Sequence, residues 1–282
     1  MRLTVDHRTT YRFTAPQSRL VQLLRLTPAN GHDQTVASWR IHVDRDARMR
    51  EGRDGFGNHV TMLYAEGPLT AVEIAVRGEV LTSHSSGVVL GVAEPLPPAL
   101  FLRATAATPA DGAIAAWARE AAGTNTPLGR LHAVNRALAG RFTVERGRGE
   151  PGLNAAAAWT RESATPRDLA HVFCVAARAL GAPARFVSGY HLWDVNGEHR
   201  PAPGSPQSTT LRGIPAPHAW AEAFVDGLGW VGFDPTTGRS PEEEYVRVAV
   251  ALDAAGAAPV AGSRLGEGAE ELDVDVSVTG EG

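Results

Sequence analysis

The chain has 282 residues, enough to bury a sizeable core as one large domain or two ordinary ones. Its net charge of -4 and the even scatter of its 27 basic residues exclude the basic stripe of a nucleic-acid surface. One cysteine excludes an internal disulfide and a thiolate metal cluster, and no run of about 18 apolar residues is present to cross a membrane.

The first segment, "MRLTVDHRTTYRF", alternates polar and apolar residues and reads as a strand, not a signal peptide, so a cytoplasmic location is expected. "LVQLLRLTP", "VASWRIHVD", "HVTMLYAEG" and "AVEIAVRGEV" follow as short β-like runs separated by turns such as "DGFGNH", at sandwich or barrel spacing. The prolines and small residues of "AEPLPPALFLRATAATPADG" predict a linker. Helices come next, in "DGAIAAWAREAAG" and in "PLGRLHAVNRALAG", the latter ended by Gly140 where a left-handed cap is needed. A short strand is expected in "RFTVERG". Leu169, Val172, Phe173, Ala176 and Leu180 recur at helical spacing and predict a helix over 166–180, capped by Gly181, with "APARFVSGYH" returning as a strand. Near the C-terminus "EYVRVAVALD" and "EELDVDVSVTG" read as strands joined by a low-complexity Ala/Gly connection.

The segment "HAWAEAFVDGLGWVGFD" carries the strongest chemical signal. Alternation puts His218, Trp220, Glu222 and Phe224 on one face, and Ala219, Ala221, Ala223 and Val225 on the other, small enough to lie against a helix or another sheet. Parity then decides whether Asp234 can meet His218. A four-residue loop at 226–229 places Asp234 opposite Ala221, on the wrong face. A loop of three or five residues places it opposite Trp220, on the His218 side, and Gly227 and Gly229 permit such bulged loops.

The order of helix, strand, loop, "HAWAE", turn and "GWVGFDPT" resembles the bacterial transglutaminase-like family, relatives of papain-type cysteine proteases. There the helix start reads Gly-Val-Cys-Gln-Asp-Phe-Ala-His, the cysteine being the nucleophile. "DLAH" at 168–171 and "ALGAPARFVSGY" at 179–190 match that motif and the segment after it. The resemblance assigns His218 as base and Asp234 as its orienting partner. It implies an α+β fold. An N-terminal β-rich, sandwich-like domain at 1–95 and a linker at 96–110 precede a transglutaminase-like core of helices on an antiparallel sheet at 111–250. A C-terminal connection and strand at 251–282 completes the chain.

The chain departs from the family at the decisive position. Counting back from "DLAH", the nucleophilic cysteine falls on Pro166 and its glutamine on Arg167. Proline offers neither a nucleophilic atom nor a backbone N–H. The stretch still makes a sound helix start, with Thr165 as N-cap, Pro166 at the first helical position and Asp168 near the positive end of the dipole. Cys174 lies about 12 Å further along the helix and is rotated roughly 80° away, so it reads as a small core hydrophobe.

A non-catalytic module that binds protein or peptide segments, including ones with Gln or Lys, is therefore expected. The alternative is an acyl transferase or amide hydrolase using His218 and Asp234 with Ser163, Thr165 or water. His171 reads as a structural residue, and Trp220 and Trp230 as core. His191, His199 and His218 lack a tight ligand spacing, so neither a metal nor any other cofactor is expected. The loop at 194–217 would border the cleft, with Arg200 and Arg212 as candidate partner contacts.

Overall fold

A computed structural model describes residues 1–124, 126–145, 150–193, 211–214 and 217–281, with the strand path alone at 211–214. The loop with Arg200 and His199, and the Arg212 side chain, therefore lie outside the described residues.

Alternating burial from Leu3 to Phe13 makes the first segment a strand, and it runs on without a break. The two N-terminal runs join into β1 (Arg2–Leu24), and the runs around "AEG" join into β4 (His59–Thr82). β2 (Gln34–Val43) and β3 (Ala47–Arg53) pair antiparallel with β4. Pairing between β1 and β4 shifts register between Arg12, Gln17 and Arg19, as at a β-bulge, where the paired strands bend. Tyr11 and Phe13 before the shift share one core with Leu20 and Leu24 beyond it, closed by Leu63, Leu69 and Ile74. Two long bent strands thus replace four short ones, and the sheet folds onto itself like a sandwich.

The second half builds the site. β5 (Val88–Val89) and the segment read as a linker come first. That segment is pinned rather than loose: Phe101, in a short 3-10 turn, is 2% exposed and meets Trp230 edge-on at 5.0 Å. α1 (Gly112–Ala122) and α2 (Pro127–Ala139) follow, N-capped by Asp111 and Thr126. Gly140 does end α2, but in the right-handed region (φ -81°), so the left-handed cap expected there is absent. Its amide bonds back to the Arg136 carbonyl, a closure that needs no positive φ.

β6 (Thr143–Val144), α3 (Ala155–Trp159) and β7 (Ser163–Ala164) lead into α4 (Pro166–Ala179). Gly181, just past α4, does adopt the left-handed conformation at φ 85°. Then come β8 (Ala184–His191), β9 (Leu211–Ile214), β10 (His218–Val225), β11 (Gly229–Phe233) and β12 (Tyr245–Ala251). The strand order β12-β8-β10-β11-β5 gives a five-stranded antiparallel sheet. α4 lies on the small-residue face of β10, with Leu169, Phe173 and Ala177 in one cluster with Ala221, Ala223 and Val225.

The Ala/Gly connection after β12 is not featureless. It contains β13 (Val260–Leu265), which pairs with the second half of β1, before β14 (Glu270–Glu281) pairs with the first half. Alanine- and glycine-rich sequence has low strand propensity, so the partner strand decides here. The two sheets share a core in which Leu3, Val5 and Val278 meet Tyr190, Val246 and Val248. A buried polar link, His7 Nδ1 with the Tyr190 hydroxyl at 2.9 Å, joins them as well. The observed architecture is the expected α+β arrangement.

Candidate functional site

The hairpin of β10 and β11 settles the parity question. Val225 pairs with Gly229, leaving a three-residue loop, and Ala221 pairs with Phe233. Asp234 therefore follows opposite Trp220, on the His218 face. Gly227 and Gly229 hold φ of 82° and 88°, the left-handed values this short loop needs. His218 Nε2 and Asp234 Oδ2 lie 2.7 Å apart, both residues buried.

Asp234 is held from several sides. Its Oδ1 accepts from the Thr236 backbone N–H at 2.8 Å and the Thr236 hydroxyl at 2.7 Å, while the Tyr245 hydroxyl donates to Oδ2 at 2.9 Å. Burial alone would raise its carboxyl, but the charge and hydrogen bond of His218 outweigh that and hold it at about 2. Burial, then the Asp234 charge, drives the Tyr245 phenol well above its ordinary range, so it stays a neutral donor. With Nε2 turned to Asp234, Nδ1 is the His218 nitrogen left for chemistry in the cleft. Gly189 pairs with His218 across the sheet, and a Cβ there would lie 2.6 Å from the Trp220 ring.

Beyond His218 on the same face, Glu222 is fully buried and accepts from Arg185 Nε at 2.7 Å and Arg247 Nε at 2.6 Å. Arg185 also forks onto both oxygens of Glu94, and its guanidinium lies 3.8 Å over the Trp230 ring. Burial opposes charge on Glu222, yet Arg247 and Arg185 together bring its carboxyl to about 2. This network clamps β8, β10 and β12, the strands that carry the site.

Pro166 and His218 line one cavity of about 500 Å³, together with Arg167, His171, Ser188 and Asp253. Small apolar residues, among them Ala106, Ala255 and Pro259, form much of the remaining wall. Pro166, which the resemblance aligns with a nucleophile, and His218, which it aligns with a base, thus line the same space. Thr165 caps α4 and forms a full capping box with Asp168, its hydroxyl donating to Oδ2 at 2.6 Å. Arg167 is tied to Asp168 Oδ1 at 2.8 Å and to the Glu150 carbonyl at 2.7 Å. The Ser163 hydroxyl donates to Glu145. Neither Ser163 nor Thr165 lines the cavity among the described residues, and both hydroxyls are committed elsewhere.

Cys174 is fully buried within α4, and burial pushes its thiol up to about 11. A small maleimide is expected to leave it unmodified under native conditions and to label it once the chain is unfolded. Rapid native labelling would contradict the core assignment.

Of two further cavity residues, His171 ends the "DLAH" match and reads from the sequence as structural, while Ser188 carries no signal of its own. His171 Nε2 accepts from the Ala254 N–H at 2.9 Å, and burial lowers the imidazole to about 4, which fixes it as a neutral wall residue. Ser188 pairs with Ala219 and so shares the α4 side of the sheet, opposite to the face of His218. His191, at the end of β8, stacks on Tyr245 at 4.1 Å and sits 5.1 Å from the His218 ring. Sequence spacing gave no reason to group it with His218 and Asp234; adjacency of β8, β10 and β12 does.

Residues 3–81 match the model of the bacterial transglutaminase-like N-terminal region, and residues 115–235 match that of the transglutaminase-like superfamily. An uncharacterized protein of Mycobacterium leprae is 28% identical over 99% of this chain and 98% of its own length. One of Mycobacterium tuberculosis is 28% identical over 98% of this chain and 91% of its own. A solved structure from Cytophaga hutchinsonii, provisionally described as a cysteine protease, superposes with a TM-score of 0.72 at 19% identity, covering 100% of this chain and 92% of that one.

Proposed function

We propose that this chain, which belongs to the transglutaminase-like superfamily and carries the bacterial N-terminal region ahead of its core, binds protein or peptide segments in the cleft without forming an acyl-enzyme. One observation supports the reading: Pro166, which the motif match aligns with the family's nucleophile, lines the cavity that His218 also lines. Covalent catalysis needs a nucleophile within about 3 Å of both base and carbonyl carbon. Ser163, Thr165 and Cys174 are each bonded or buried away from that point. What is kept is a cavity with small apolar walls and a few polar groups, suited to an extended segment presenting a Gln or Lys side chain.

Calorimetric titration with Gln- and Lys-containing peptides tests this. Saturable binding is expected, weakened by roughly tenfold or more, about 1.4 kcal/mol, when Ala106→Trp fills the cavity rim. Binding unaffected by that substitution would move the ligand elsewhere. The second reading, water activated by His218, rests on the assembled His218–Asp234 pair. Amide hydrolysis or amine transfer by the unmodified protein, abolished by His218→Ala, would favour it and overturn the non-catalytic reading.

A further inference from the structure

We propose that His191, His218 and Asp234 form a binding site for a divalent transition-metal ion, zinc by the chemistry of its donors. One ligand atom of each residue lies within 4.8 Å of the other two. Three atoms so spaced have a point within about 2.8 Å of all of them, against zinc–nitrogen and zinc–oxygen bonds of about 2.0–2.2 Å, so closing the site needs shifts below roughly 1 Å. Two imidazoles and one carboxylate form a donor set typical of zinc, and all three residues are buried.

The surroundings are arranged as metal-ligand surroundings are. Outer hydrogen bonds orient such ligands, and the Thr236 N–H and hydroxyl hold Asp234 Oδ1 while Oδ2 is presented toward His218. The His191 ring is fixed between Tyr245, stacked at 4.1 Å, and Trp193, edge-on at 4.3 Å. The ion takes the place of the hydrogen bond between His218 and Asp234, so the paired dyad and the metal site are two states of the same side chains. The inference goes beyond the peptide-binding reading and does not depend on it.

Chelator-treated protein titrated with Co²⁺ supplies the test, with Zn²⁺ as competitor. One equivalent is expected to bind with the visible absorption of a low-coordinate nitrogen/oxygen site, displaced by Zn²⁺. His191→Phe, which keeps a ring against Tyr245, and Asp234→Asn should each weaken binding at least tenfold. His84→Ala, at the exposed His84–Glu242 pair, should leave it unchanged. No stoichiometric binding, or binding that survives both site variants, overturns the proposal. Should Asp234→Asn fail to fold, X-ray absorption at the zinc edge of the unmodified protein decides: two imidazoles and oxygen support the site, and fewer than two imidazoles refute it. Peptide titrations run in metal-free buffer read the binding proposal separately.

Discussion

Glu222→Ala is expected to destabilise the protein by about 3–5 kcal/mol, the usual consequence of removing one partner from a buried ion pair. The carboxylate is fully buried and accepts three charge-assisted hydrogen bonds, one from Arg185 and two from Arg247. Its removal leaves the Arg185 guanidinium, 1% exposed at its side chain, with Glu94 as its remaining carboxylate partner. For a chain of this size the loss corresponds to a fall in Tm on the order of 10 °C. Disruption of the exposed Arg19–Glu66 pair, by contrast, should cost less than about 1 kcal/mol, because both side chains are more than half exposed and screened by water. Thermal denaturation of the two variants side by side checks the contrast. Similar small losses from both would mean that Glu222 is solvated in the working protein. The result bears on function, because Glu222 sits on the His218 face of β10 and braces the strands on which the dyad is assembled.

Much of this site was legible because local rules set it. Alternation and loop parity in "HAWAEAFVDGLGWVGFD" allow His218 and Asp234 to meet only across an odd loop, and the chain takes the three-residue one. Thr165, Pro166 and Asp168 carry the start signals of α4, and the helix begins there with its capping box complete. The rest depends on neighbours that local sequence does not name. β13 is a strand because β1 offers it an edge, not because "VAGSRL" favours extension. Glu94 and Phe101 lie in a stretch that composition marks as a linker, yet Arg185 and Trp230 bind them from across the fold. Tyr245 and His191 reach Asp234 and His218 through strand order alone, which single-sequence periodicity does not encode. Gly140 shows the converse, a strong cap signal at a helix end that closes without a left-handed residue.

Pro166→Cys is expected to convert the cleft from an unreactive to a thiol-reactive one. The new side chain would stand at the first position of α4, where the partial positive charge of the helix start favours a thiolate. It would also open on the cavity lined by His218, whose ring is already oriented by Asp234. If the thiol pKa falls from about 8.5 to near 5, the gain in thiolate outweighs its lower basicity, and alkylation by iodoacetamide at pH 6 should run on the order of 10-fold faster than for an ordinary exposed cysteine. The background is silent, because Cys174 is fully buried. Loss of the proline costs roughly 0.4–1 kcal/mol through the unfolded chain, small enough for the variant to fold. His218→Ala in the same background should return labelling to the ordinary rate and move its pH dependence back toward that of a free thiol. Asp234→Asn should do so in part, by releasing the ring. Fast labelling that survives His218→Ala would credit the helix terminus alone and leave the dyad without influence on residue 166. Slow labelling in every variant would mean that restoring a thiol at residue 166 is not enough to make the cleft reactive, and that the pairing of His218 with Asp234 is structural.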